Sequence, residues 1–279
     1  ARRGAALARA HGATGWVAEF KTFETLAGMA VQPCTDDAIG WLSWVRTAPT
    51  RLDTRAMATS SLATVLVDRG AIERSGQVLA AWSDPGVLSG MGPFTQAVIV
   101  WAMVQRSWVL GDLDEVIRVA TWATDSIPPG FPTLAGTQAM WRWAEYESGR
   151  PIDSPDPQGG LLPCAALESA AVRDLADGAT AAAVEGFEAA TEAWSSLMLR
   201  SELRCRWATG LALVLDGRRE LGAEVLESLD TELDAAGVPA LRPRVAAAFR
   251  LATGRELAGV GGRSASMLSS RQQEVLLLV

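Results

Sequence analysis

The chain has one histidine, one lysine, one tyrosine and three cysteines in 279 residues. The lone His11 has no Ser/Asp or Cys/Asp arrangement beside it in sequence, so a triad-type active site is not indicated and a solvated surface position is the simpler reading. One histidine with scattered cysteines also leaves no metal-ligand spacing, and no metal or cofactor is expected. Cys34, Cys164 and Cys205 form no CxxC pair and read as reduced thiols of a cytoplasmic protein. No apolar run approaches the ~18 residues of a membrane span. Strict two-residue alternation of β-branched residues is also missing, which excludes a sheet protein. The first residues, Ala1-Arg2-Arg3-Gly4, lack an initiator Met and a following apolar leader, and read as a start inside a longer protein.

What is present is helical periodicity. Apolar residues make up 49% of the chain and charged residues 20%, enough to bury a substantial core. Phe94, Val98, Trp101, Val104 and Trp108 fall on one helix face. Val184, Phe187, Thr191 and Trp194 make a second stripe, Leu203, Trp207, Leu211 and Val214 a third, and Leu221, Val225, Leu229 and Leu233 a fourth. Glycines at 70, 111, 149, 178 and 217 each close one such run and precede another, as left-handed helix ends do. Their spacings of 41, 38, 29 and 39 residues are mostly near the ~34–47 of helical-pair repeats. The predicted fold is therefore all-α, a degenerate tetratricopeptide-like solenoid of antiparallel helix pairs over residues 1–253. Two breaks interrupt it. One is the Pro/Gly-rich stretch 150–163, expected to join two halves of one solenoid, and the other a Gly-rich linker at 254–266.

The acidic clusters are better explained by helix starts than by chemistry. Asp36-Asp37 and Asp112-Leu113-Asp114-Glu115 sit where carboxylates meet the positive end of a helix dipole. Glu185, Glu188 and Glu192 flank an apolar stripe and are expected to be solvated. Gly15 to Thr22 approximates a phosphate-binding loop until Phe20 occupies the second Gly position, where its bulk would block the backbone cradle. No enzyme is expected. The net charge of −7 argues against the bulk of the chain tracking a phosphate backbone.

Tryptophan is abundant: 11 against 1 Tyr and 6 Phe. A core would more often use Leu or Phe, because a buried indole N–H needs a partner. The enrichment predicts an aromatic concave groove for a small-molecule effector, with Trp101, Trp108, Trp122 and Trp141 as stacking planes and Gln138 and Glu145 as polar neighbours of Trp141. Trp143 points the other way, toward the core. The alternative is a scaffold whose groove holds a protein or peptide partner, with homo-oligomers as a further partner class and no membrane.

The last segment, Met267-Leu268-Ser269-Ser270-Arg271-Gln272-Gln273-Glu274-Val275-Leu276-Leu277-Leu278-Val279, reads as a capped amphipathic helix start. Through Leu268, Ser269, Arg271, Glu274, Val275, Leu276, Leu278 and Val279 it resembles the first helix of the LuxR-type helix-turn-helix domain, with Gln272 where the family usually has Glu. That resemblance covers about 12 residues. It implies a bacterial transcriptional regulator in which 267–279 is the truncated start of the DNA-binding domain and the helical repeats are its sensor region. DNA contact is expected only through the missing remainder of that domain. Six arginines between 239 and 271 (Arg242, Arg244, Arg250, Arg255, Arg263, Arg271), against Glu256 alone, make this end locally basic.

Overall fold

A computed structural model of the chain describes residues 2–157, 163–255 and 257. Among the described residues there are fourteen α-helices and no strand. The first six are α1 (Arg2–Ala10), α2 (Thr14–Val31), α3 (Asp36–Thr47), α4 (Leu52–Asp68), α5 (Ile72–Leu79) and α6 (Pro85–Ser89). The middle of the chain supplies α7 (Pro93–Leu110), α8 (Leu113–Ser126), α9 (Pro132–Ser148) and α10 (Pro163–Ala176). Then follow α11 (Thr180–Ser195), α12 (Leu199–Leu215), α13 (Arg219–Ala236), a 3-10 turn at Pro239–Leu241, and α14 (Arg242–Thr253). No described helix is long and apolar enough to cross a membrane.

Local chemistry explains the boundaries. Thr35 caps α3 by accepting from the Ala38 N–H at 3.2 Å, and Asp112 caps α8 by accepting from Glu115 N–H at 3.2 Å. The acidic clusters at 36–37 and 112–115 are thus helix starts. All five expected glycine ends adopt positive φ, from 71° to 84°. In each, the residue after the glycine donates its N–H to the carbonyl five positions earlier: Ala71 to Leu66, Asp112 to Ser107, Arg150 to Glu145, Ala179 to Asp174 and Arg218 to Leu213. That bond satisfies a carbonyl the helix would leave orphaned and turns the chain into the next helix.

Most successive helices therefore pack back to back, and α7 also packs beside both α4 and α9, as α12 does beside α14. This is an all-α helical-repeat architecture. Close approach at α12–α13 depends on glycine: a Cβ on Gly222 would stand 2.6 Å from Val214 Cγ2 and 2.8 Å from the Gly210 carbonyl. One apolar core runs from Val67 to Leu257, and α9 packs directly on α10, so the 150–163 break joins the repeats without dividing the core. Residues 158–162 lie outside the described residues, as do the 267–279 segment and all of the 254–266 linker except Gly254, Arg255 and Leu257.

Three expectations are corrected by packing. In α13 the outer Leu221 is exposed and the buried stripe runs through Leu226, Leu229 and Leu233 instead, shifted by the Gly222 contact. Two of the six arginines of the locally basic end are engaged by acids, Arg242 bonding Asp230 and Asp234 and Arg244 being buried against Glu147, while Arg263 and Arg271 lie outside the described residues. Trp108 does not line an open groove. The helices α12 and α14 reach back across α7 and α9, with Trp207 5.1 Å from Trp143 and 6.1 Å from Trp108 between ring centroids, and cover the face that periodicity alone left open.

Candidate functional site

The tryptophans divide by what their N–H finds. Trp143 and Trp194 both donate to Glu168, at 2.9 and 3.0 Å, and Arg204 grips the same carboxylate at 2.6 and 2.8 Å. Trp207 donates to the Arg244 carbonyl at 3.2 Å. Every one of these side chains is fully enclosed, and each indole of roughly 150–250 Å² adds on the order of 4–6 kcal/mol of gross transfer energy. The Glu168 pair also holds the Arg204 guanidinium above its usual pKa, against a burial effect that by itself would lower it.

The six residues predicted for the groove lie in several places. Trp108 is buried, donates to Glu147 at 3.0 Å, and lies under Arg244, whose guanidinium carbon is 3.7 Å from the ring centroid. Glu145 is buried and accepts the backbone N–H groups of Asp153 and Ser154, both at 3.2 Å, fixing the segment after α9. Gln138 is buried on α9, and Trp141 is half-buried with its Nε1 shielded and unbonded. Trp122 borders a crevice of only about 30 Å³ with Arg118, Ser83 and Leu88. Trp101 alone of the six reaches a cavity of ligand size.

That cavity, about 280 Å³, lies where α2, α4 and α7 meet the start of α12. Its walls are apolar: Leu26, Met29 and Ala30 from α2, Met57 and Val65 from α4, Val98 and Trp101 from α7, and Met198. Trp101 is held in place by Gly136 of α9, where a Cβ would come within 2.3 Å of the ring. One end is polar, lined by Asp68, Arg200 and Thr64. Arg200 Nη2 stands 2.9 Å from Asp68 Oδ1, an ion pair without the alignment of a hydrogen bond. Three shielded atoms there have no hydrogen-bond partner: Asp68 Oδ1, Arg200 Nη1 and Thr64 Oγ1. Burial pushes the Asp68 carboxyl up to about 6, and the opposing pull of Arg200 and Arg204 only partly offsets it. Burial likewise lowers Arg200.

A larger crevice of about 350 Å³ between α2 and α3 is less suited to hold a ligand, because its charged liners Lys21 and Asp37 are solvent-exposed. Lys21 instead sits over the Trp41 ring at 4.1 Å. Among the described residues no group of three or more His, Cys, Asp or Glu is placed to hold a metal ion. No protein-family model, curated protein or solved structure matches the chain.

Sequence reasoning missed Asp68, Arg200 and Thr64. Asp68 reads locally as a helix end before Gly70, and Arg200 as one arginine among many. Their pairing exists only because α12 folds back onto α4.

Proposed function

We propose that the chain is the effector-sensing region of a LuxR-type transcriptional regulator, binding a small molecule in the Trp101/Asp68/Arg200 cavity and controlling the DNA-binding domain that residues 267–279 resemble. The observation that carries this reading is the origin of the cavity walls. Leu26 to Trp101 supply most of them, and Met198 and Arg200 close them from the far side of the chain. A ligand in this position touches both the early helices and the start of α12, from which α13 and α14 lead toward the C-terminal segment. Occupancy then changes the docking of the later helices to the extent that the ligand binds one arrangement more tightly than another.

The test is a thermal-shift and Trp-fluorescence screen of sugars, peptides and aromatic, amide, acidic and cationic metabolites against the wild type and Ser61→Phe, which fills the cavity from α4. A ligand at 100 times its Kd stabilises by ~2.7 kcal/mol. The expected result is a saturable hit that raises the melting temperature of the wild type and leaves the variant unmoved. Hits that ignore Ser61→Phe contradict the site.

A second reading, a protein- or peptide-binding scaffold, is favoured by exposed apolar side chains in the first three helices: Leu7 at 65%, Trp16 at 50%, Phe23 at 44% and Trp44 at 53%. A silent screen, together with one dominant protein partner lost on Trp16→Ser and Trp44→Ser, would select it.

A further inference from the structure

The lining of the cavity specifies a ligand class, an inference that rests on the sensor reading above. We propose that it takes a neutral, wholly apolar molecule of about ten carbons, in the simplest case a bicyclic aromatic hydrocarbon.

The polar groups around the cavity have nothing to give a ligand. Ser60 donates to the Val98 carbonyl at 2.5 Å. Arg200 Nη2 stands 2.9 Å from Asp68 Oδ1, so the two charges are turned on each other. Asp68 Oδ1, Arg200 Nη1 and Thr64 Oγ1 lie too deep to touch water, and no head group can reach them. Ser61 and Thr133 are half-buried, so neither hydroxyl depends on a ligand for its partner. A polar head would therefore lose its hydration without regaining hydrogen bonds. A charged head would be buried uncompensated, since the nearby Arg204 is paired with Glu168 and Arg244 with Glu147.

The rest of the wall is hydrocarbon and thioether, and it suits a flat ring system. Methionine sulfurs pack well against ring edges, and Met29, Met57 and Met198 can adapt to the outline of one. Trp101 is wedged against Gly136, where a Cβ would stand 2.3 Å from the ring, so it gives the ligand a rigid aromatic neighbour. Size follows from volume. An apolar protein cavity of about 150 Å³ takes one benzene, of six carbons, so one of about 280 Å³ takes roughly ten or eleven. A peptide helix is excluded, because a single turn about 10 Å across is already larger than the cavity.

Equilibrium dialysis of the whole chain against naphthalene, 2-naphthol, the charged analogues 2-naphthoate and 2-naphthylmethylammonium, and phenanthrene tests class and size together. Naphthalene is expected to bind saturably, about ten-fold or more tighter than either charged analogue and no more weakly than 2-naphthol. Phenanthrene, with a third ring, should bind no more tightly than naphthalene, although simple partition onto a greasy surface would favour it. Ser61→Phe should abolish naphthalene binding. Met29→Gln, which keeps the side-chain length and adds an amide, should weaken it about five-fold or more, and keeps the site testable if Ser61→Phe does not fold. Tighter binding of 2-naphthol or of a charged analogue overturns the class, and tighter binding of phenanthrene overturns the size. Naphthalene binding that neither variant alters overturns the site. If no probe binds while a screening hit is blocked by Ser61→Phe, the ligand class is wrong and the sensor reading stands. If Ser61→Phe blocks no ligand at all, both fall.

Discussion

The Glu168 and Asp68 regions use the same residue types to opposite ends. Each is a buried carboxylate facing an arginine of α12 with tryptophan close by. Glu168 accepts four hydrogen bonds, two from indoles and two from Arg204, and no space is left around it. Asp68 accepts none from Arg200 despite their 2.9 Å approach, and it borders a 280 Å³ cavity. A saturated network fixes a packing arrangement, whereas an unsaturated one beside a void does not. The difference places the first region in the fold's packing, and under the function proposed above the second is the binding region.

The largest expected effect is at the saturated end. Glu168→Leu leaves Arg204 buried without its partner and strips Trp143 and Trp194 of their acceptor, and urea unfolding should show a loss of roughly 3–5 kcal/mol. A loss under about 1 kcal/mol would mean the network contributes little. At the unsaturated end the signature is pH. The folded-state pKa of Asp68, about 6, lies above its ordinary 3.8, so between these values the folded chain holds a proton that the unfolded chain releases. Measured against Asp68→Asn, the wild type should therefore gain stability as pH falls from 7 to 3, by about 3 kcal/mol at 1.36 kcal/mol per unit. Above pH 6 the penalty of the buried carboxylate is fully present. A flat difference across that window would remove the contrast.

A smaller effect is expected where Trp101 meets α9. Gly136→Ala puts a methyl 2.3 Å from the ring, which should cost roughly 1–3 kcal/mol and shift Trp101 fluorescence as the indole moves into the cavity. Gln105 sharpens the comparison from another side. It is fully buried with neither amide atom bonded, yet it lines no described cavity. Unpaired polarity without a void offers nothing to a ligand, so Gln105→Leu should raise stability by about 1 kcal/mol without altering ligand affinity.

The sequence revealed the elements better than their contacts. Glycine ends, the acidic helix starts at 36–37 and 112–115 and the Leu203/Trp207/Leu211/Val214 stripe depend on neighbours within a turn or two, and all appear as expected. Glu185, Glu188 and Glu192 are exposed for the same reason. Helical phase gives a side chain's direction but not what covers it. Trp108 is covered by Arg244, from a helix that begins 134 positions later in the chain, and Glu145 is engaged by the segment after its own helix. Four of the eleven tryptophans bond their indole N–H to buried acceptors, namely Glu147, Glu168 (twice) and the Arg244 carbonyl. Of the six residues predicted for the groove, Trp101 is the one that lines a cavity of ligand size.

The most direct test compares the melting temperatures of the wild type and Ser61→Phe side by side across one ligand library. The account predicts at least one saturable ligand that stabilises the wild type and has no effect on the variant. Equal shifts in both proteins, or none in either, would contradict it.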